Sequence, residues 1–144
     1  MKLPIIIVNF KAYENATGER AFLLAKIHER VVMETGASIA IAVQPTDIAV
    51  IASEVKIPVF AQHVDSFSCG AHTGFITAFA AKAAKAYGTL LNHAEHPLDD
   101  ETLKKSIEAA KNEGLFVCVC ADTPERGAKI AEFGPDLIAV EPPE

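Results

Sequence analysis

Short runs of β-branched and other apolar residues recur along the chain, and each is followed by a stretch with helical spacing. The apolar runs are residues 5–8, 38–43, 57–61, 89–91, 115–120 and 137–140. They are nearly continuous, with little of the apolar–polar alternation of a half-exposed strand, and so predict strands buried on both faces. Leu24, Ile27 and Val31 form an apolar stripe in a first helix, with Asn15 or Thr17 as candidate caps and Gly36 as its stop. A short helix is expected over 47–53 and an Ala-rich one over 75–86. Asp99 or Asp100 can cap the next, which carries Leu103, Ile107 and Ala110 on its inner face and ends at Gly114. Thr123-Pro124 reads as an N-cap with proline at the first helical position, and Gly134-Pro135 stops that last helix.

Strand and helix alternate, and the strands are apolar throughout. Both features call for a parallel sheet covered by helices. The 144 residues hold five full strand–helix units and a sixth strand. A closed barrel of eight such units typically takes about 200 to 250 residues. Residues 1–144 are therefore expected to be one domain, either an open sheet or the first part of a barrel. A final strand followed directly by Pro142-Pro143-Glu144 favours the incomplete barrel.

Composition narrows the function classes. Hydrophobic residues make up 50% of the chain, which supplies a real core and excludes a disordered tail. A net charge of −6 offers no broad basic surface, so neither nucleic acid nor an anionic membrane is an expected partner. No apolar run approaches the roughly 20 residues of a membrane helix, and Met1-Lys2-Leu3-Pro4 carries no cleavage signature. Cys118 and Cys120 share one face of a strand without a CxxC spacing, and the total of three cysteines is odd. Reduced thiols in a cytoplasm are the expectation.

The candidate chemistry sits where the strands end. Asn9, Lys11, Gln44, Gln62, Asn92, His93, Glu95, Asp122 and Glu141 all follow apolar runs. Parallel strands would set them on one rim, where ligands bind in α/β folds. A cation (Lys11), an imidazole (His93) and a carboxylate (Glu141) are the equipment for proton abstraction beside a carbonyl. Plainer readings stand beside these. An Asn after a strand can be a turn former, a Lys solvated surface, and a lone His structural. Glu95 suits a supporting ion-pair partner better than a base. His63, His72 and His96 read as loop or surface residues. The loop over 63–74 is the longest in the chain, a length that tends to be functional. His93, Glu95 and His96 lack the HExxH spacing of a metal site, and no glycine-rich nucleotide cradle is present. Neither a metal nor a cofactor is expected.

With these residues placed, the sequence resembles the triosephosphate isomerase family, and more closely its short archaeal-type branch. The matching stretches are Val8-Asn9-Phe10-Lys11, Phe60-Ala61-Gln62-His63-Val64 with Ala71-His72-Thr73-Gly74, Gly88-Thr89-Leu90-Leu91-Asn92-His93-Ala94-Glu95, and Ala139-Val140-Glu141-Pro142-Pro143-Glu144. The resemblance implies a (β/α)8 TIM barrel, here about five units plus strand 6. It implies interconversion of dihydroxyacetone phosphate and D-glyceraldehyde 3-phosphate without a cofactor. Glu141 then corresponds to the catalytic base, His93 to the neutral electrophile and Lys11 to the electrostatic, substrate-binding cation. Asn9 and Phe10 belong to the substrate-binding stretch, Glu95 to the supporting carboxylate, and Thr73 to the loop threonine that reaches a neighbouring subunit. A homo-oligomer, dimer or tetramer, follows from the same resemblance.

Two departures qualify it. Ala94 stands where the family usually has a serine that holds the base at rest, so altered base positioning is expected. The family's lid loop and the phosphate-gripping amides after strands 7 and 8 have no counterpart in these residues, so little activity is expected from this chain. An open barrel would also expose apolar inner faces and favour self-association. The competing reading is a non-enzymatic α/β binding or interaction module with an open, flavodoxin-like parallel sheet, in which His93 and Glu141 are incidental.

Overall fold

The computed structural model describes residues 1–141. Its strands are β1 (Ile6–Asn9), β2 (Ile39–Val43), β3 (Val59–Ala61), β4 (Gly88–Leu91), β5 (Phe116–Ala121) and β6 (Leu137–Val140). They lie side by side in chain order, and every neighbouring pair is parallel. The helices between them are α1 (Glu19–Thr35), α2 (Ile48–Glu54), α3 (Ala78–Ala83), α4 (Asp100–Asn112) and α5 (Pro124–Ala131).

Alternation along the strands sorts side chains onto two faces. Ile41, Val43, Val59, Leu91, Val117 and Val119 turn toward the helices and form the main core with Leu103, Ile107 and Ile130. Ala40, Ala42, Phe60, Leu90 and Cys118 turn the other way and pack with Ile5, Ile7, Phe116 and Leu137 in a second cluster that holds no helix residue. The helices thus cover a single face. A doubly wound sheet would carry helices on both faces and reverse its strand order at a switch point. Neither occurs here, so the flavodoxin-like arrangement is not the one that forms. Ile5 and Ile7 at one edge and Leu137 and Ala139 at the other line a common cleft of about 450 Å³. The sheet has curled until its two edges face each other, which makes it an incomplete (β/α) barrel.

Small residues permit the curl. Phe60, Gly88 and Phe116 stand in one row of the register. The Phe60 and Phe116 rings meet edge to face, 6.3 Å apart, across the position of Gly88. A Cβ at Gly88 would come within 2.2 Å of the Phe116 carbonyl oxygen and 2.6 Å of the Phe60 ring.

At the opposite end from the rim the helices are tied to one another by lysines. Lys26 of α1 donates to the Glu54 carbonyl that ends α2. Lys82 of α3 donates to the Gly114 carbonyl beyond α4 at 2.9 Å, and Lys111 of α4 to the Gly134 carbonyl beyond α5 at 2.7 Å. Each ammonium satisfies an orphan carbonyl and meets the negative end of a helix dipole.

Two helices differ from expectation, each for a local reason. α1 starts later, behind a 3-10 turn over Glu14–Ala16, and its N-cap is Gly18 at φ 60°. Thr17 cannot cap it, because its hydroxyl donates to the Tyr13 carbonyl and accepts from Gln44. α3 shrinks because Asp65 holds the segment before it. Its backbone N–H donates to the Ile76 carbonyl, and its carboxylate accepts from the Ile76 N–H, both at 2.7 Å. Thr77 then caps α3 through the Ala80 N–H. The Asp99 and Thr123 caps, the glycine stops at 36, 114 and 134, and the sixth strand fall where the sequence predicts them.

Gly88→Ala is expected to cost about 3 kcal/mol or more, because the added carbon meets backbone that cannot move aside. Urea denaturation measures it. A loss under about 1 kcal/mol would mean the row is looser than drawn.

Candidate active site

Lys11 follows β1 in the left-handed region, φ 51°. That conformation is uncommon outside glycine and needs support. It has support on both sides. The Lys11 N–H donates to the Asn9 carboxamide oxygen at 3.0 Å, and the Gln62 amide donates to the Lys11 carbonyl at 2.9 Å. Gln62 also donates to Asn9 at 3.2 Å, closing a three-residue lock. The Lys11 ammonium is then delivered to Glu95, 3.1 Å from Oε1. The hydrogen bond to Glu95 raises the Lys11 pKa above its ordinary value; the attraction of that carboxylate and, more weakly, of Glu141 acts in the same sense. The ammonium is charged throughout the neutral range.

His93 is set by a second left-handed residue. Asn92, at φ 56°, stops β4 from continuing. Its amide donates to the Cys120 carbonyl and its oxygen accepts the Leu98 N–H, each at 2.9 Å. The turn presents His93 to the rim with its side chain largely covered. The Glu95 backbone N–H lies 3.1 Å from Nδ1 of His93. A backbone N–H can only donate, so Nδ1 accepts and the neutral ring carries its hydrogen on Nε2. The Glu95 carboxylate, 3.5 Å from Nδ1, is a neighbour rather than a second partner in that tautomer.

Glu141 continues the β5–β6 ladder through its N–H to the Ala121 carbonyl, 2.8 Å. Period two puts it on the same face as Leu137 and Ala139, the inner one. It lines the 450 Å³ cleft together with Asn9, His93 and Cys120. Asn9 and His93 also line an adjoining cleft of about 260 Å³ with Lys11, Gln62 and Glu95. The two clefts share Asn9 and His93, so the base, imidazole and cation candidates line two adjoining clefts of one rim. Burial, and then the Glu141 carboxylate, push the Cys120 thiol up, which keeps it a neutral thiol beside that carboxylate. Ala94 and Glu141 both line a further cleft of about 330 Å³.

One candidate lies otherwise than read. Phe10, expected in contact with substrate, buries its ring in the main core at 2% exposure and packs on His28 of α1, ring centres 5.4 Å apart. Alternation after Asn9 turns it outward, and its contribution to the rim is the backbone path into Lys11. Thr73 is exposed at a turn of the long loop and lines neither rim cleft. His63 lies in the long loop, as read, and is buried there. It bonds Asp65 at 3.1 Å and stacks on His96 at 4.1 Å, joining the long loop to the loop that carries His93. Gln62 stood on the rim in sequence without a role. Its place two residues beyond Phe60, on the inner register of β3, is the signal that could have given it one.

Among the described residues no group of three His, Cys, Asp or Glu could hold a metal ion, and no helix is long and apolar enough to cross a membrane.

Fold and site together define a (β/α)-barrel protein with an acid–base rim at the carboxyl ends of its strands. The chain belongs to the triosephosphate isomerase family, whose family model matches residues 4–144. It is 46% identical over 144 residues to a triosephosphate isomerase of Pyrobaculum calidifontis, covering 100% of this chain and 63% of that protein. It is 45% identical over 141 residues to one of Methanobacterium bryantii, covering 98% and 62%. The chain thus spans less than two thirds of the length of these relatives. A crystal structure of triosephosphate isomerase from Bartonella henselae superposes with a TM-score of 0.78 at 22% identity, covering 96% of this chain and 68% of that one, and supports the fold.

Two outcomes follow for the described groups. Gln62→Leu keeps the volume and removes the lock on Lys11. Amide exchange at Lys11 should then quicken by about tenfold or more, while that of β2 stays unchanged. Burial holds the His63 pKa below its ordinary 6.5. The fold favours the neutral ring, so its contribution is complete above pH 6.5 and is lost as pH falls through the lowered value. The melting temperature should therefore drop as pH falls below 6.5, and drop less in His63→Gln. Parallel slopes for the two proteins would refute the assignment to His63.

Proposed function

We propose that these residues carry out the proton transfer of triosephosphate isomerisation, with a small phosphorylated triose as substrate. Glu141 removes a proton from C1 of dihydroxyacetone phosphate. The electron pair moves onto the C2 oxygen, giving an enediolate. The Nε2–H of His93 and the ammonium of Lys11 stabilise that oxygen, and Asn9 holds Lys11 in place. His93 moves a proton between the two oxygens, and Glu141 returns its proton to C2, giving D-glyceraldehyde 3-phosphate. Substrate and product are isomers, so the balance closes without a redox cofactor or a metal. The family is the established example of a carboxylate base working beside a neutral histidine, and membership supports that pairing here.

The observation that carries the reading is the Glu95 N–H against Nδ1 of His93, 3.1 Å. It leaves the ring a donor at Nε2 while still neutral. A neutral donor suits an enediolate, because its own acidity is closer to that of the oxygen it must protonate. Glu95 serves as partner to Lys11 through its carboxylate and to His93 through its backbone. That its relatives from Pyrobaculum calidifontis and Methanobacterium bryantii are triosephosphate isomerases is the second support.

The same reading extends to assembly. Thr73, at the exposed turn of the long loop, reaches the site of a second copy in a homodimer or homotetramer. Phe67, His72 and Phe75 stack beside it, and Phe75 is half exposed. Residues 1–144 act as a single domain. All three cysteines are free thiols, which accords with a cytoplasmic setting.

Deuterium uptake into dihydroxyacetone phosphate in heavy water, followed by NMR, tests the base directly. The chain should exceed the buffer rate, and Glu141→Gln should lose about a hundredfold or fall to the buffer rate. Equal rates in both proteins, or no uptake above buffer in either, would overturn the assignment for this chain. Ala94→Ser should change the rate only in the protein that keeps Glu141.

A further inference from the structure

At the end of the sheet opposite the rim, a cleft of about 910 Å³ opens between the carboxyl ends of α2, α3 and α4. Lys56, Lys82, Lys85 and Lys111 line it, and Asp136 is the one carboxylate among its lining residues. The whole chain carries a net charge of −6, so the lining of this cleft is opposite to it in sign, although the Glu29 carboxylate accepts the Lys56 backbone N–H nearby. Asp136 is already committed. It accepts the Val117 N–H at 2.8 Å and stands 3.8 Å from the Lys111 ammonium.

Helix capping explains part of this gathering. Lys82 and Lys111 donate to the Gly114 and Gly134 carbonyls, and Lys85 to the Ser53 hydroxyl at 3.2 Å. An ammonium has three donors, so each keeps two for another partner. The bonds also fix the lysine tips in advance, which lowers the entropy lost when an anion binds. Capping does not account for Lys56, whose ammonium makes no hydrogen bond among the described residues. Lys85 closes α3 in the left-handed conformation, φ 67°, with its N–H on the Lys82 carbonyl, and the cap itself does not call for a lysine where glycine is the unstrained choice. Tyr87, partly exposed, lies on the floor of the cleft and packs against the Phe116 ring.

We propose that this basic cleft binds a small anion bearing several linked phosphoryl groups, either a free linear polyphosphate or the tail of a nucleoside triphosphate. Its volume falls in the ordinary range of small-molecule sites, about 300–1,000 Å³, and exceeds what one phosphate would fill. Lysines act on phosphate as point charges, and a cleft concentrates their field. A long nucleic acid is a poor fit, because the rest of this acidic surface would repel it. The site shares no residue with the rim and stands or falls independently of the proposed isomerisation.

Calorimetric titration of the chain with sodium tripolyphosphate at low salt tests the proposal. Tripolyphosphate should bind at least about tenfold tighter than orthophosphate. The double variant K56Q/K85Q leaves the Lys82 and Lys111 caps intact, and its circular dichroism and melting temperature check that it folds. Binding should weaken in it by about tenfold or more. Lys11→Met should bind as wild type does. Binding unchanged in K56Q/K85Q, binding lost in Lys11→Met, orthophosphate equal to tripolyphosphate, or no heat at all would each overturn the proposal. ATP separates the two sources. Tighter binding than tripolyphosphate, lost in Tyr87→Ala, assigns the site to a nucleotide; equal binding assigns it to free polyphosphate.

Discussion

Parallel pairing constrains everything else in this molecule. When each strand runs the same way as its neighbours, each strand end must share a rim with all the others, and each connecting helix must point back. One end of the sheet therefore collects strand termini, and the other collects helix carboxyl termini. The first supplies short loops that can hold Asn9, Lys11, Gln62, His93 and Glu141 around two adjoining clefts. The second supplies unpaired carbonyls with partial negative charge, and lysines gather there to meet them. The two ends acquire opposite chemistry from a single topological choice.

Alternation alone would not build the rim. Period two sends Asn9, Gln62 and Glu141 inward, but it would send Lys11 inward only in an extended chain and His93 outward. Two left-handed residues change the count. Lys11 adopts that conformation itself, and Asn92 adopts it immediately before His93. Both are bonded on more than one side, Lys11 through Asn9 and Gln62, Asn92 through Cys120 and Leu98. Asparagine tolerates the left-handed region better than most residues, and lysine does not. The less natural residue is the one with the hydrogen-bonded lock around it. Strain is thus held where the cation and the imidazole are aimed, by neighbours that are themselves on the rim.

Much of the fold could be read from the chain because its signals are local. Continuous apolar runs, the Asp99 and Thr123 caps, and the glycine stops at 36, 114 and 134 each act within a few residues. The errors came where a distant partner wins. Gln44 claims the hydroxyl of Thr17 that looked like a cap, and Asp65 takes the residues that composition assigns to the third helix. His63 lies in its loop as read, and is buried there because His96, from another loop, covers it. The rim followed the same rule. That Asn9, Lys11, His93 and Glu141 stand at strand ends is visible from spacing, whereas Phe10 and Gln62 exchange importance only once alternation through three dimensions is known. Side-chain direction after a strand depends on one backbone angle, and no residue type announces it.

The lysine-lined end shows why net charge is a weak guide to local chemistry. A total of −6 argues against nucleic acid or an anionic membrane as a partner, because it describes the surface as a whole. Charges are not spread evenly in a barrel-like sheet, however, because the helix dipoles rank the two ends. A lysine at a helix carboxyl end gains from the dipole and from the carbonyl it caps, so cations accumulate there for reasons of stability alone. The acidic excess is left to the remaining surface. Once two capping lysines, Lys82 and Lys111, share a cleft with Lys56 and Lys85, the field between them exceeds what any single helix end can neutralise, since each terminus offers only about half a charge. A stability device repeated around a curved sheet thereby becomes a concentration of positive charge, with donors to spare.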